Sequence, residues 1–201
     1  MLEARAISFS HPGGRVLYDG LSLAVAPGER VALRAPSGFG KTTLCRLLAG
    51  YLEPASGEVL VDGEPLLRRG ACPVQLIGQH PEHMVDPRMT MRAVLQEAGA
   101  IDGALVEELG IRPEWMARRA HELSGGELQR FCIARALAAR PHYLVCDEIS
   151  TMLDAVSQAE LWRFLLRWAE DSGAGMVLVS HSPALTARVA TRVIDLRPST
   201  A

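Results

Sequence analysis

The stretch RVALRAPSGFGKTTLCRLLAG, residues 30–50, constrains the fold more than any other part of the chain. A continuous apolar run gives way to a glycine-rich turn, and the turn opens into an apolar helical pattern that Gly50 is placed to stop. An uninterrupted apolar strand needs cover on both faces, so the run predicts a buried central strand of a parallel sheet. Parallel neighbours need long crossover connections, and the rest of the sequence supplies them. HYLVCDE, GMVLVSH and RVIDL read as further strands, separated by a helix from about Ala155 to Asp171 and another over PALTARVA.

The N-terminal part has a different pattern. ARAISFS and LSLAV alternate as half-buried strands do, and SGEVLVDGEPL reads as a hairpin. PVQLIGQ is a further strand ending at Gln79. From His80 to Glu122 the pieces MTMRAVLQEA, GALVEELG and PEWMARRA are short and helical, divided by Gly and Pro, without a strand signal. The expected class is therefore α/β: a mainly parallel sheet, an N-terminal antiparallel β subdomain, and an inserted α-helical subdomain. At 201 residues and 48% hydrophobic content this suits one domain with a small insertion.

Within the glycine-rich turn, Ala35-Pro36-Ser37-Gly38-Phe39-Gly40-Lys41-Thr42-Thr43 follows a strand and opens a helix. In that context backbone N–H groups and the helix dipole converge on phosphate oxygens. Gly38 and Gly40 allow close approach, Lys41 neutralises the outer phosphates, and the Thr42 hydroxyl is placed to ligate magnesium. Ala35 stands where the usual first glycine would be, and a small residue makes that turn if its φ stays negative. The strand LVCDE then delivers two acids, Asp147 and Glu148, at its C-terminal end, the edge where ligands gather in open α/β sheets. Asp147 is expected to face the magnesium shell and Glu148 the attacking water. Alone, such a pair would be read as a helix cap or a solvated turn.

With these motifs on one chain, the sequence resembles the nucleotide-binding subunits of ABC transporters, and the resemblance covers nearly its whole length. Gln79 after LIG matches the Q-loop glutamine, LSGGELQR (residues 123–130) the signature motif, STMLD ending at Asp154 the D-loop, and VLVSH ending at His181 the switch histidine. DPRMT and LSGGELQRFCIARAL are most similar to the oligopeptide, dipeptide, opine and nickel importers. The resemblance implies a P-loop NTPase fold with a RecA-like core, one ABC ATPase domain over residues 1–201. Residues 1–79 and 124–201 would form the β subdomain and core, and residues 80–123 the helical subdomain.

It also implies ATP and Mg2+ as ligands and a head-to-tail pairing with a second ATP-binding subunit. In that pairing Ser124, Gly125, Gly126 and Glu127, with Asp154, would face the nucleotide held by the neighbour. The same serine serves an ordinary helix N-cap, and both roles are compatible. Glu127 stands where many members have glutamine, a variation shared by several importers. Gln79 would join Thr42 and Asp147 around magnesium, His181 would bond the γ-phosphate and the water, and His11 falls where the family places an adenine-stacking aromatic. Imidazole is the smaller ring, so its stacking belongs near or below the low end of the roughly 1–3 kcal/mol of base–aromatic contacts. A plain exposed histidine in the SHPGG turn is the alternative reading of His11. The expected partners are transmembrane permease subunits and, indirectly, a solute-binding protein, at the cytoplasmic face of the inner membrane.

Charge and composition exclude other classes. The net charge of -2 gives no global reason to bind nucleic acid, and the arginines at 112, 118, 119, 130, 135 and 140 alternate with glutamates, as on solvated helix faces. The four cysteines have no Cys-x-x-Cys spacing, so neither a zinc site nor a disulfide framework is expected. No stretch of about 18 apolar residues reads as a membrane span. The sequence ends shortly after RVIDL, where the importers it resembles commonly continue, so no regulatory domain is expected. Two rival classes remain: a soluble ABC ATPase not tied to transport, and a non-hydrolysing regulatory module. A small-molecule kinase would leave LSGGELQR and His181 unexplained.

Overall fold

The computed structural model describes residues 1–66, 72–100 and 102–196. Two sheets organise it. The first holds β1 (Leu2–Ser10), β2 (Val16–Val25), β4 (Ser56–Val61) and β5 (Glu64–Pro65) in the order β2-β1-β4-β5, antiparallel throughout. At Gly57, φ is +77° and an added Cβ would lie 2.3 Å from the Ala6 carbonyl oxygen, so only glycine lets β4 approach β1 this closely.

The second sheet holds β3 (Arg30–Arg34), β6 (Val74–Ile77), β7 (Tyr143–Asp147), β8 (Gly175–Val179) and β9 (Arg192–Asp195) in the order β6-β7-β8-β3-β9. All four pairings are parallel. β3 is interior as its apolar run requires, but the central position belongs to β8. Burial on both faces explains the missing polar alternation. Ala32, Leu144, Cys146, Met176 and Leu178 face one core, while Val31, Leu33, Val145, Val177 and Val179 face the other.

The second of these cores is closed by α1 (Lys41–Leu48) and by the antiparallel sheet. The first is closed by α4 (Gly125–Ala138), α5 (Ala155–Ser172) and the segment between Gln79 and Ser124. That segment contains α2 (Met91–Gln96) and α3 (Gly103–Glu108), and it sends Met91, Val94, Leu95 and Trp115 into the core. α6 (Pro183–Val189) leads into β9.

Three local expectations are corrected. PVQLIGQ pairs only as far as Ile77, because the chain bends away at the sheet edge and leaves Gln79 on a bend beyond the ladder. PEWMARRA is one short 3-10 turn, Pro113–Trp115, after which the Met91 amide bonds the Arg118 carbonyl and Thr90 bridges Arg119. Competition from these backbone bonds with α2 ends the helical pattern. The arginines are not all solvated: half-buried Arg130 donates from Nη1 to the Leu109 carbonyl at 2.5 Å and half-buried Arg135 pairs with Glu97 at 3.3 Å, while exposed Arg112 lies 5.3 Å from the Trp115 ring centre.

Candidate nucleotide site

The order of the parallel sheet builds the site. β6, β7 and β8 are adjacent and run the same way, so residues just beyond their C-terminal ends, Gln79, Glu148 and His181, arrive side by side. The Gln79 amide donates to Glu148 Oε2 at 3.1 Å, and His181 Nε2 lies 2.8 Å from Glu148 Oε1. Glu148 itself has φ of +52°, a left-handed conformation that costs a non-glycine residue on the order of 1–3 kcal/mol. Its amide still bonds the Val179 carbonyl, and its carbonyl accepts from the Thr151 amide and hydroxyl. The ladder and the following turn over-determine this residue, and the strain aims its carboxylate along the strand end.

β3 ends one strand further along the same edge, and the phosphate loop follows it. Gly40 caps α1 with φ of +98°, a value that only glycine adopts without strain. Ala35 is not among the residues with positive φ. Lys41 is nearly buried, and its Nζ donates to the Ala35 and Pro36 carbonyls at 2.9 and 3.0 Å. The loop, Gln79, Glu148 and His181 enclose a cleft of about 570 Å³.

Asp147, the last residue of β7, lies beneath the cleft and is 2% exposed. Burial lifts its carboxyl above the usual range, the Thr42 hydroxyl bonded to it acts in the opposite sense, and the neighbouring Glu148 charge raises it again. Its Oδ1 is buried with no hydrogen-bond partner among the described residues. A buried unpartnered carboxylate oxygen beside a threonine hydroxyl is a donor set suited to a hard divalent cation such as magnesium.

Of the residues expected to hold nucleotide, Ser37, Gly38, Gly40, Lys41, Thr42 and Thr43 line the cleft. His11 lines it too, with Nε2 3.4 Å from Thr43 Oγ1 and its ring edge-on to Phe9, 5.1 Å between centres. Phe39 does not: its side chain packs against the core beside the antiparallel sheet, and its amide bonds the Pro36 carbonyl at 3.3 Å. Ser124, Gly125, Gly126, Glu127 and Asp154 are also absent from the lining.

Those five residues form a separate surface. Ser124 caps α4, its Oγ accepting the Glu127 amide at 3.3 Å while Glu127 Oε2 accepts the Ser124 amide at 2.8 Å. This reciprocal capping box gives the Glu127 variation a physical role in S-x-x-E. Cβ atoms at Gly125 and Gly126 would lie 2.6 Å from Met152 Sδ and 2.9 Å from Leu153 Cδ2, so the signature turn packs directly on the D-loop. Asp154 caps α5 through bonds to the Val156 and Ser157 amides and the Ser157 hydroxyl, which hold its carboxyl below the usual range.

Sequence reasoning missed two residues of β2 and its approach. Arg15 lines the cleft and donates to the Gly38 carbonyl at 2.9 Å, and the Tyr18 hydroxyl donates to the Gly40 carbonyl at 2.8 Å. Neither had a signal, since a tyrosine in an alternating strand reads as core.

The model of the ABC transporter family matches residues 18–151, from β2 through the two acids to the D-loop. The chain is an ABC transporter ATP-binding domain. This ABC domain is 32% identical over 187 residues to the probable D,D-dipeptide transport ATP-binding protein DdpF of Escherichia coli, covering 87% of the chain and 59% of that protein. It is 34% identical over 199 residues to a putative peptide import ATP-binding protein of Brucella ovis, covering 90% of the chain and 63% of that protein. A nickel import ATP-binding protein, NikE of Escherichia coli, is 33% identical over 199 residues, with 90% and 74% covered. The chain thus spans about three-fifths of the length of the first two relatives. Among solved structures, a dimeric ATP-binding cassette in a post-hydrolysis state bound to ADP and Pi superposes with a TM-score of 0.85 at 23% identity, covering 98% of this chain and 94% of that one.

Proposed function

We propose that this ABC domain binds and hydrolyses ATP to energise an importer of peptides, opine-type metallophores or nickel. The observation that carries the reading is the one sheet edge at which Lys41, Thr42, Gln79, Glu148 and His181 converge, with Asp147 beneath it. The dipeptide transport, peptide import and nickel import relatives support the importer class with peptides or nickel as cargo.

In this reading the phosphates enter the cleft and Lys41 exchanges the Ala35 and Pro36 carbonyls for phosphate oxygens. Amides of the loop, freed of steric cover at Gly38 and Gly40, approach the same oxygens. Magnesium, when bound with ATP between Thr42, Asp147 and Gln79, supplies neutralisation of phosphate charge. Glu148 takes a proton from water as that water attacks the γ-phosphorus in line with the departing ADP oxygen. His181 and Gln79, which already grip the Glu148 carboxylate, orient it and the water and limit the positions the carboxylate samples.

One loop leaves the far side of the γ-phosphate open. Ser124, Gly125, Gly126, Glu127 and Asp154 lie outside the chain's own cleft, which supports a composite site in which each subunit of a pair supplies this surface to its neighbour. Residues 80–123, as the helical subdomain, would grip a cytoplasmic helix of the permease and move as the pair closes and reopens, with Gln79 as the coupling residue. A solute-binding protein would deliver the cargo. Among the described residues no helix is long and apolar enough to cross a membrane, which suits a peripheral subunit at the inner face.

The test is complementation. Lys41→Ala and Ser124→Ala variants are each expected to lose ATP turnover, and a mixture of the two to regain part of it, because half of the sites in a mixed dimer are intact. A mixture no more active than its components, with an active wild type, would sink the composite site. Absence of MgATP binding by the wild type would sink the whole reading.

A further inference from the structure

We propose that Tyr18 is a positioning residue of the phosphate loop: its hydroxyl fixes the Gly40 carbonyl so that the Lys41 amide is presented to the cleft. This rests on the reading that the cleft holds MgATP. Tyr18 stands on β2, opposite Phe9 of β1, and is 3% exposed. It donates to the Gly40 carbonyl at 2.8 Å, and the same oxygen accepts the Leu44 amide at 2.9 Å, the first bond of α1. A carbonyl oxygen has two lone pairs, so both are engaged. The two bonds differ in kind. The Leu44 bond belongs to the helix and moves with it, whereas the Tyr18 bond ties the loop to a separate sheet.

The peptide plane makes this a matter for the ligand. In a trans peptide the C=O and the following N–H point in opposite directions, so the direction of the Gly40 carbonyl sets that of the Lys41 amide. That amide is one of the first four of α1, the donors that a helix leaves for an anion. Gly40 cannot hold the plane itself, since it has no side chain and sits at φ of +98°. A Cβ there would lie 3.0 Å from the Tyr18 oxygen and 3.2 Å from Leu17 Cδ1, so β2 rests directly on the glycine backbone. Burial pushes the phenol well above its usual range, and the hydroxyl stays a donor throughout the physiological range.

A tyrosine that merely fills the core would cost stability when changed and leave nucleotide affinity alone. Loss of a positioning residue lowers the fraction of molecules with a competent loop, and the apparent Kd rises by that factor. Tyr18→Phe and Tyr18→Leu both remove the donor. Calorimetric titration with MgATP is expected to give a Kd raised about fivefold in either variant, the effect of one net hydrogen bond. KM for MgATP should rise in step, with kcat at saturation within about twofold of wild type. Adenosine, which has no phosphate to meet the Lys41 amide, should bind each variant as it binds wild type. The proposal is overturned if a folded Tyr18→Phe or Tyr18→Leu protein binds MgATP with wild-type affinity, or if MgATP and adenosine weaken alike. Wild-type protein that binds no MgATP would instead overturn the reading of the cleft on which the proposal stands.

Discussion

Replacing Glu148 by glutamine separates chemistry from architecture at this site. The carboxylate is 10% exposed and held on both oxygens, by His181 at 2.8 Å and Gln79 at 3.1 Å. Glutamine has the same length, its Oε1 can still accept from His181, and Gln79 can turn its own amide to keep the second contact. The φ of +52° is retained, since the substitution leaves the backbone unchanged. Folding stability should therefore move by less than about 1 kcal/mol, two conserved neutral hydrogen bonds replacing two stronger ones. What glutamine cannot do is take a proton. Loss of a general base costs roughly 10² to 10⁴ in rate, which corresponds to about 2.7–5.4 kcal/mol of barrier. The assay is steady-state phosphate release at saturating MgATP, beside thermal unfolding and ATP-dependent dimerisation followed by light scattering. The expected variant is folded, binds ATP, dimerises, and turns over at least a hundredfold more slowly. Turnover within about threefold of wild type in a folded Glu148→Gln protein would refute the assignment.

Other perturbations test the scaffold. Ser150 Oγ, in a residue 5% exposed, accepts from Gln158 at 2.7 Å and from the buried Trp162 indole at 3.1 Å; Ser150→Ala strands that indole N–H and should cost about 1–3 kcal/mol in urea unfolding, an unchanged midpoint being the contrary result. Glu127→Ala opens the capping box and should cost roughly 0.5–1 kcal/mol, whereas Glu127→Gln, which can still accept the Ser124 amide, should fall within about 0.5 kcal/mol of wild type by the same measurement. The Arg192 guanidinium hydrogen bond holds the Glu29 carboxyl below the usual carboxylate range, against the opposing effect of burial. A depressed folded value means that this contribution is full above the usual range and is lost as pH falls through the lowered one. Glu29→Gln should therefore flatten the acid limb of the stability curve and leave its slope near neutrality unchanged, and an acid limb as steep as wild type would contradict the pairing.

Sequence alone determined the elements whose signal is local. The apolar run before the glycine turn announced a strand buried on both faces, because covering both faces removes the polar alternation that a half-wet strand shows. Gly50, the hairpin at SGEVLVDGEPL and the Ser124 N-cap were legible for the same reason, since caps and turns are satisfied by neighbours in the chain. The acids at 147 and 148 and the histidine at 181 could be placed at strand ends from periodicity alone. Only tertiary structure decided which strand ends lie together. The β6-β7-β8 order brings Gln79, Glu148 and His181 within hydrogen-bond reach although 69 residues separate the first two. It also decided that β8, not β3, takes the centre, that Phe39 packs against the core rather than lining the cleft, and that Tyr18 spends its hydroxyl on the phosphate loop. Such contacts join segments that never meet along the chain. Their partners are chosen by packing and by the need to satisfy buried polar groups, and neither is written in the period or spacing of one stretch.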